Sequence, residues 1–214
     1  MQTITIRDDI VVQVPNGPIG LSYSGGVDST ILLYLLMNQT DSPIHLFTLC
    51  MYNRKFSHMK TAFDIIDKCS ELTGNYNLVH HVQYEKDTTS TLNNFFKTPK
   101  EYIYTKGIVN SMFTGSTCDP PHDVTKTWNV VDSRQQHIIV ERDPTVVRSI
   151  HFGPSWLCPL TNLNKQQVTK LYYDNNILES VFPLTKSCYT DYGQDACNNC
   201  WFCKEREWGL NFPR

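Results

Sequence analysis

A seven-residue stretch, Ser24-Gly25-Gly26-Val27-Asp28-Ser29-Thr30, lies between the mostly apolar run Ile19 to Tyr23 and the apolar run Ile31 to Met37. Flanks of that kind read as a buried strand and a helix, which makes the stretch a strand-to-helix turn. Two adjacent glycines let the backbone take positive φ and approach a ligand with no Cβ in the way, so successive amide hydrogens can face one anion. A helix starting at about Asp28 adds its free amide groups and the positive end of its dipole, which favours phosphate. Ser24, Ser29 and Thr30 supply hydroxyl donors at the same rim. Asp28 either caps the helix or holds a magnesium ion beside the phosphates.

No lysine ends the turn and its glycines lack the spacing of the Walker loop, which argues against a P-loop kinase or GTPase. The stretch resembles the SGGxDS loop of the PP-loop ATP pyrophosphatases. That resemblance implies ATP binding by Tyr23, Ser24, Gly25, Gly26, Val27, Asp28, Ser29 and Thr30. It also implies cleavage between the α- and β-phosphates, with adenylation of a substrate oxygen and release of AMP and pyrophosphate.

With 214 residues, 40% of them hydrophobic, the chain can bury the core of one full domain. A net charge of -2 and a pI near 6.4 provide no basic footprint, so nucleic acid is disfavoured as a partner. No apolar run approaches the roughly 20 residues of a membrane span. Met1 to Pro15 carries Arg7, Asp8 and Asp9 where a signal peptide would be apolar. The expected location is cytoplasmic.

Thr3 to Ile6 and Ile10 to Val14 alternate apolar and polar residues around Arg7-Asp8-Asp9, which suits a hairpin or an added edge strand. Ile44 to Met51 and Leu78 to Tyr84 read as further strands, the first nearly continuously apolar as in a parallel sheet. Between them, Met59, Ala62, Phe63, Ile66 and Cys69 recur at helical spacing over Ser57 to Leu72, and Gly74 closes that helix. Thr91 to Met112 is helical in parts with a break at Pro99, and Phe113-Thr114-Gly115 reads as a fourth strand entering a loop. Ser116 to Arg148 is polar, holds Pro120-Pro121 and one strand, Gln136 to Val140, and reads as an insertion or lid. A short helix spans Lys165 to Tyr173, its start marked by Asn162 and Asn164. This alternation predicts an α/β fold with a doubly wound parallel sheet, its ligand beyond the carboxyl ends of the strands. The loops at Ser24, Tyr52 and Gly115 should then face one cleft.

Of eight cysteines, Cys188, Cys197, Cys200 and Cys203 form the pattern C-x8-C-x2-C-x2-C. Four thiolates close a tetrahedral zinc site with no open position, so the metal's role is structural, and an iron–sulfur cluster is the rival occupant. Such a metal contributes on the order of 10 kcal/mol of apparent binding energy. The chain divides accordingly into a nucleotide-binding domain over residues 1–186 and a four-cysteine segment over 187–214 packed on it.

The glycine loop, Gly115-Ser116-Thr117-Cys118-Asp119, Pro159-Leu160 with Lys165, and Lys186-Ser187-Cys188-Tyr189 leading to the cysteines and Arg206 together resemble the 7-cyano-7-deazaguanine synthase family. The resemblance implies an adenine-nucleotide α-hydrolase-like fold. It implies ATP, Mg2+ and Zn2+ as cofactors, and a small deazapurine carboxylate and ammonia as partners. A homodimer is the candidate assembly, without a membrane. The carboxylate would be adenylated, ammonia would displace AMP to give an amide, and a second adenylation would allow dehydration to the nitrile.

In that reading Asp28, Lys165 and Asp119 are the catalytic candidates, with Lys186 as an alternative phosphate partner and His122 as a possible base. Gly115 joins the ATP site, and Arg54, His58 and Asp123 contact the substrate. The sequence departs from the family after the third strand, where a Pro-x-Arg-Asn segment is missing. It departs again at Cys118-Asp119-Pro120-Pro121-His122-Asp123, which replaces a Tyr-Pro-Asp-Cys element. Two other functions fit the same residues: a PP-loop sulfur-transfer or tRNA-thiolating enzyme, and a non-catalytic nucleotide-binding module.

Overall fold

The computed structural model describes residues 1–51, 57–85, 97–128, 130, 155–188 and 196–213. Alternation in the first segment folds it into a hairpin, β1 (Gln2–Arg7) and β2 (Ile10–Val14), paired antiparallel in a two-stranded sheet of its own. Ile4, Ile6, Ile10, Val12 and Val14 turn inward. The Gln39 side-chain amide accepts from Thr5 N–H and donates to Thr5 carbonyl, both at 2.7 Å, tying the hairpin to the end of α1 (Val27–Gln39).

Five strands form the main sheet: β3 (Ile19–Ser22), β4 (Ile44–Met51), β5 (Leu78–Glu85), β6 (Ser111–Phe113) and β7 (Trp156–Leu157). Their order is β5-β4-β3-β6-β7 and every pairing is parallel. From β3 the chain winds outward through β4 to β5, then returns to place β6 on the other side. The expected doubly wound sheet is therefore present, and its switch point lies at the carboxyl end of β3, where the glycine stretch begins.

The principal core packs α1, α2 (Ser57–Thr73) and α5 (Lys165–Asp174) against the sheet through residues such as Leu21, Leu32, Ile65 and Leu171. α2 ends at Gly74, whose φ of 70° places it in the left-handed region. Phe63 is a correction: it is 46% exposed, edge-on to His80 at 5.1 Å, and Ile65 is the residue that faces the core. An aromatic ring at the margin of a helix face satisfies the same spacing as one at its centre. Pro99 is a second correction. It lies in the first turn of α3 (Lys97–Lys100), where its missing N–H breaks nothing, and the chain continues helically through Glu101–Thr105. The fourth strand starts at Ser111, two residues before the expected start, and β7 has too short a run to be read from sequence. The strand expected at Gln136 to Val140 lies outside the described residues.

On the opposite face, Phe47, Val109, Met112 and Trp156 form a second cluster with Tyr102 and Ile103. His45 Nδ1 lies 2.9 Å from His81 Nε2, and His81 stacks on Phe47 with ring centroids 4.8 Å apart. Burial lowers the pKa of His45, His80 and His81, and neighbouring His45 and Lys106 lower His81 further. The unfolded chain binds these protons more readily, so stability is full above about pH 6.5 and falls as the pH drops below it. Urea unfolding from pH 8 to 5.5 should show that decline, and the double variant His45→Gln/His81→Gln should flatten it. A wild-type slope equal to the variant's would refute the assignment. Among the described residues, no helix is long and apolar enough to cross a membrane.

Candidate active site

Directly beyond β3, Gly25 takes a φ of 71°, a conformation that costs a residue with a Cβ, and Gly26 is the N-cap of α1 with no side chain capping the helix. Thr30 N–H donates to Gly26 carbonyl at 3.0 Å, so the amides of Val27, Asp28 and Ser29 precede the helical ladder. Ser24 is exposed at the rim, and its hydroxyl accepts from Gly26 N–H at 3.3 Å and lies 3.1 Å from Ser29 Oγ. Ser29 Oγ accepts from Ser24 N–H and donates to Gly26 carbonyl. The loop is thus shaped by its own hydroxyls.

Thr30, expected to offer its hydroxyl at the rim, does not, and the side chains of Tyr23 and Val27, expected among the ATP-binding residues, also point away from it. Tyr23 is fully buried, its hydroxyl donating to Ala62 carbonyl at 3.3 Å, and burial pushes its pKa up. Thr30 is also fully buried and Val27 is 2% exposed, so neither side chain reaches the rim. Tyr23 follows a strand buried on both faces, and Val27 and Thr30 lie on the first turn of a helix whose side chains are mostly buried, which a contiguous motif conceals.

Asp28 does not cap the helix. Lys165, the first residue of α5, donates its ammonium to both Asp28 carboxylate oxygens at 2.6 and 2.7 Å. Glu205 lies 3.5 Å from the same ammonium. Lys165 is 5% exposed; burial lowers its pKa, but the two carboxylates outweigh that and leave it raised. Tyr172, seven residues on and on the same face of α5, donates to Val27 carbonyl at 2.5 Å. The first turn of α1 is therefore held by α5 at two points. The structure brings Lys165 and Asp28 together, two of the three residues expected to be catalytic.

Gly115 closes the site from the other side of the switch point. A Cβ there would sit 2.8 Å from Ser29 N and 2.9 Å from the Asp28 carbonyl carbon, so only glycine lets the loop after β6 run against the start of α1. Asp119 follows on that loop, half-buried, where Cys118 N–H donates to Leu163 carbonyl at 3.0 Å. Asp123 and His122 are exposed on α4 (His122–Thr125). Beyond α4, Trp128 sits edge-on to Trp201 at 5.1 Å, which packs this segment on the cysteine region. Tyr52-Asn53-Arg54 lies outside the described residues, as does the side chain of His58.

A cavity of about 320 Å³ opens beside β4 and β5, lined by Phe47, Thr48, His81, Gln83 and Thr98 among others. Thr48 donates to Tyr23 carbonyl at 2.8 Å, immediately before the glycine stretch, so the cavity flanks the loop one strand away.

The four cysteine Sγ atoms lie within 4.8 Å of one another. Cys200 and Cys203 sulfurs are 3.5 Å apart, and Cys197 and Cys203 sulfurs are 3.9 Å apart. A tetrahedral zinc with 2.3 Å bonds needs edges of about 3.8 Å, so one ion fits, whereas a cluster that spreads thiolates over several irons needs a wider cage. Asn198, with a φ of 56°, turns the chain between Cys197 and Cys200. Cys197 N–H donates to Cys188 Sγ and Cys200 N–H to Cys197 Sγ, an outer shell suited to thiolates. Cys200 caps α6 (Trp201–Gly209) and Cys203 stands in its first turn, so the dipole favours the anionic sulfurs.

α6 also reaches the loop. Arg206 donates to Thr185 and Phe182 carbonyls at 2.9 and 2.8 Å, and Lys186 N–H donates to Gly25 carbonyl at 3.0 Å. Sequence reasoning missed Tyr172 and Glu205. The seven-residue interval from Lys165 was a signal for the first; nothing in the pattern singles out the second.

Two family models match the chain: Queuosine biosynthesis protein QueC over residues 153–212 and Asparagine synthase over residues 13–84. Each covers less than half of the chain. No curated protein matches. Among solved structures, NMN synthetase from Francisella tularensis aligns at TM-score 0.49 and 14% identity, over 92% of this chain and 78% of that one. An NH3-dependent NAD synthetase from Campylobacter jejuni subsp. jejuni NCTC 11168, in complex with nitrate, aligns at TM-score 0.45 and 16% identity, over 80% and 69%.

Proposed function

We propose that this chain, a member of the PP-loop ATP pyrophosphatase superfamily with a QueC-like C-terminal region, converts 7-carboxy-7-deazaguanine and ammonia to 7-cyano-7-deazaguanine at the expense of ATP. The observation that carries this reading is the glycine loop at the switch point, with the free amides of α1 and the Asp28 carboxylate presented at one rim. The substrate carboxylate oxygen would attack the α-phosphorus as the bond to the β-phosphate oxygen breaks, releasing pyrophosphate. Ammonia then attacks the acyl carbon and loses a proton while AMP leaves. In the second cycle the amide oxygen is adenylated, and loss of AMP with two protons leaves the nitrile.

The chain's own residues bind and orient. The amides of Val27, Asp28 and Ser29 and the Ser24 hydroxyl face the charge that grows on the departing phosphates. Asp28 is the carboxylate that would hold Mg2+, since that ion takes one or two carboxylates together with phosphate oxygens and water. Bound there, the ion would neutralise developing phosphate charge. Lys165 fixes the Asp28 rotamer. Cys188, Cys197, Cys200 and Cys203 would hold Zn2+ without taking part in the reaction. The cavity beside Phe47 and His81 is at the small end of ligand-pocket volumes and has room for one planar fused-ring base.

Incubation with ATP, Mg2+, ammonium and 7-carboxy-7-deazaguanine, followed by mass spectrometry, should yield AMP, pyrophosphate and the nitrile. Formation of ADP would overturn the adenylation chemistry. Iron instead of zinc in the purified protein, with substrate-dependent thiolation, would favour the sulfur-transfer reading.

A further inference from the structure

We infer that Glu205 is a positioning residue that restores negative charge to the Asp28 end of the ATP loop. The inference rests on the function proposed above. The ammonium of Lys165 bonds both oxygens of Asp28, and by itself that pair is neutral. A neutral pair is a weak attractant for a divalent ion, because the lysine cancels the charge the carboxylate would offer. Glu205 changes the sum. Its carboxylate, on a residue 6% exposed, lies 3.5 Å from the same ammonium, so two carboxylates share that ammonium and it cancels less of the charge on Asp28.

Exposure within the triad is uneven. The side chains of Lys165 and Glu205 are 6% and 8% exposed, while that of Asp28 is 22% exposed. The open face of the cluster is thus the aspartate, at the rim where phosphates would lie. Glu205 compensates Lys165 from behind and leaves Asp28 free to share its oxygens with a cation without stranding a buried ammonium.

The placement of Glu205 follows from α6. Cys203 precedes it by two residues, and Arg206 fastens the next position to Thr185 and Phe182 carbonyls. Gly209 lets α6 lie close on α5, since a Cβ there would come within 2.7 Å of Lys165 Cγ. The sulfur cage thereby sets a charge near the ATP loop as well as holding the tail.

The test measures Mn2+ binding by electron paramagnetic resonance in the presence of α,β-methylene-ATP, with zinc content and melting temperature as controls. Glu205→Gln keeps the shape and removes the charge; Glu205→Asp keeps the charge and shortens the reach. Glu205→Gln should weaken Mn2+ binding about tenfold, the scale of one unit charge acting on a divalent ion through a partly hydrated cleft. Glu205→Asp should stay within about threefold. Wild-type binding that Glu205→Gln leaves unchanged, in a variant that still holds zinc, would overturn this inference alone. So would equal losses in both variants, which indicate shape and not charge. Failure of the wild type to bind the analogue with Mn2+ would overturn the proposed function and this inference with it.

Discussion

Replacing Asp28 with asparagine is expected to lower pyrophosphate release about a thousandfold, while costing only about 1–2 kcal/mol of stability. The two effects separate because the residue has two partners of different kinds. Toward the protein, Asp28 accepts from Lys165, and an amide oxygen still accepts one of those bonds. Glu205, 3.5 Å away, keeps the buried ammonium compensated. Toward the ligand, no other carboxylate in the described contacts stands at the first turn of α1. The charge that would gather a divalent ion to the phosphates then disappears, and transition-state stabilisation of this kind is among the largest single contributions in a site. Pyrophosphate release under saturating ATP, with melting temperature as the control, checks both halves. Activity within tenfold of the wild type would remove Asp28 from the chemistry.

On the zinc site proposed above, stripping the metal by chelation or through Cys203→Ser is expected to abolish turnover and lower the melting temperature by more than about 10 °C. For a chain of this size 1 kcal/mol shifts the midpoint by roughly 2–4 °C, and a structural zinc site contributes well above that. The loss of activity follows from what α6 holds. Without the cage its first turn loses Cys200 and Cys203 as anchors, Arg206 leaves Thr185 and Phe182, and the bond from Lys186 to Gly25 loses its backing. The glycine loop then fails before the domain does. Zinc added back to the chelated protein should restore both readouts, and turnover that survives full metal removal would show the two regions to be independent.

The parallel sheet was legible because its strands are separated by two readable helices, α1 as a long apolar run and α2 by its clear period. Ile19 to Ser22, Ile44 to Met51 and Leu78 to Glu85 are long enough to stand out, whereas Trp156–Leu157 is two residues and carries no period. The cysteine cage was legible from C-x8-C-x2-C-x2-C, since three of its four cysteines crowd within seven residues and Cys188 lies only nine residues upstream of them. The Lys165–Asp28–Glu205 triad was not, because its members are brought together by helix packing over a wide separation. Within the glycine stretch the motif marked the place but not the direction of each side chain: Ser24 faces out, while Tyr23 and Thr30 face in.

The position of β3 has a consequence for how the chain comes into being. Its neighbours are β4, joined by Ile19 to Ile44, and β6, joined by Ile19 to Ser111. A ribosome releases the glycine turn before β4, β5 and β6, so one flank of that strand stays unpaired until the nascent polypeptide has grown past residue 111. Pairings this distant slow the search for the native topology and leave an adhesive edge exposed meanwhile. The clasp formed by Lys186 and α6 emerges after all five strands of the main sheet, so the glycine turn gains its backing only once the sheet can be complete.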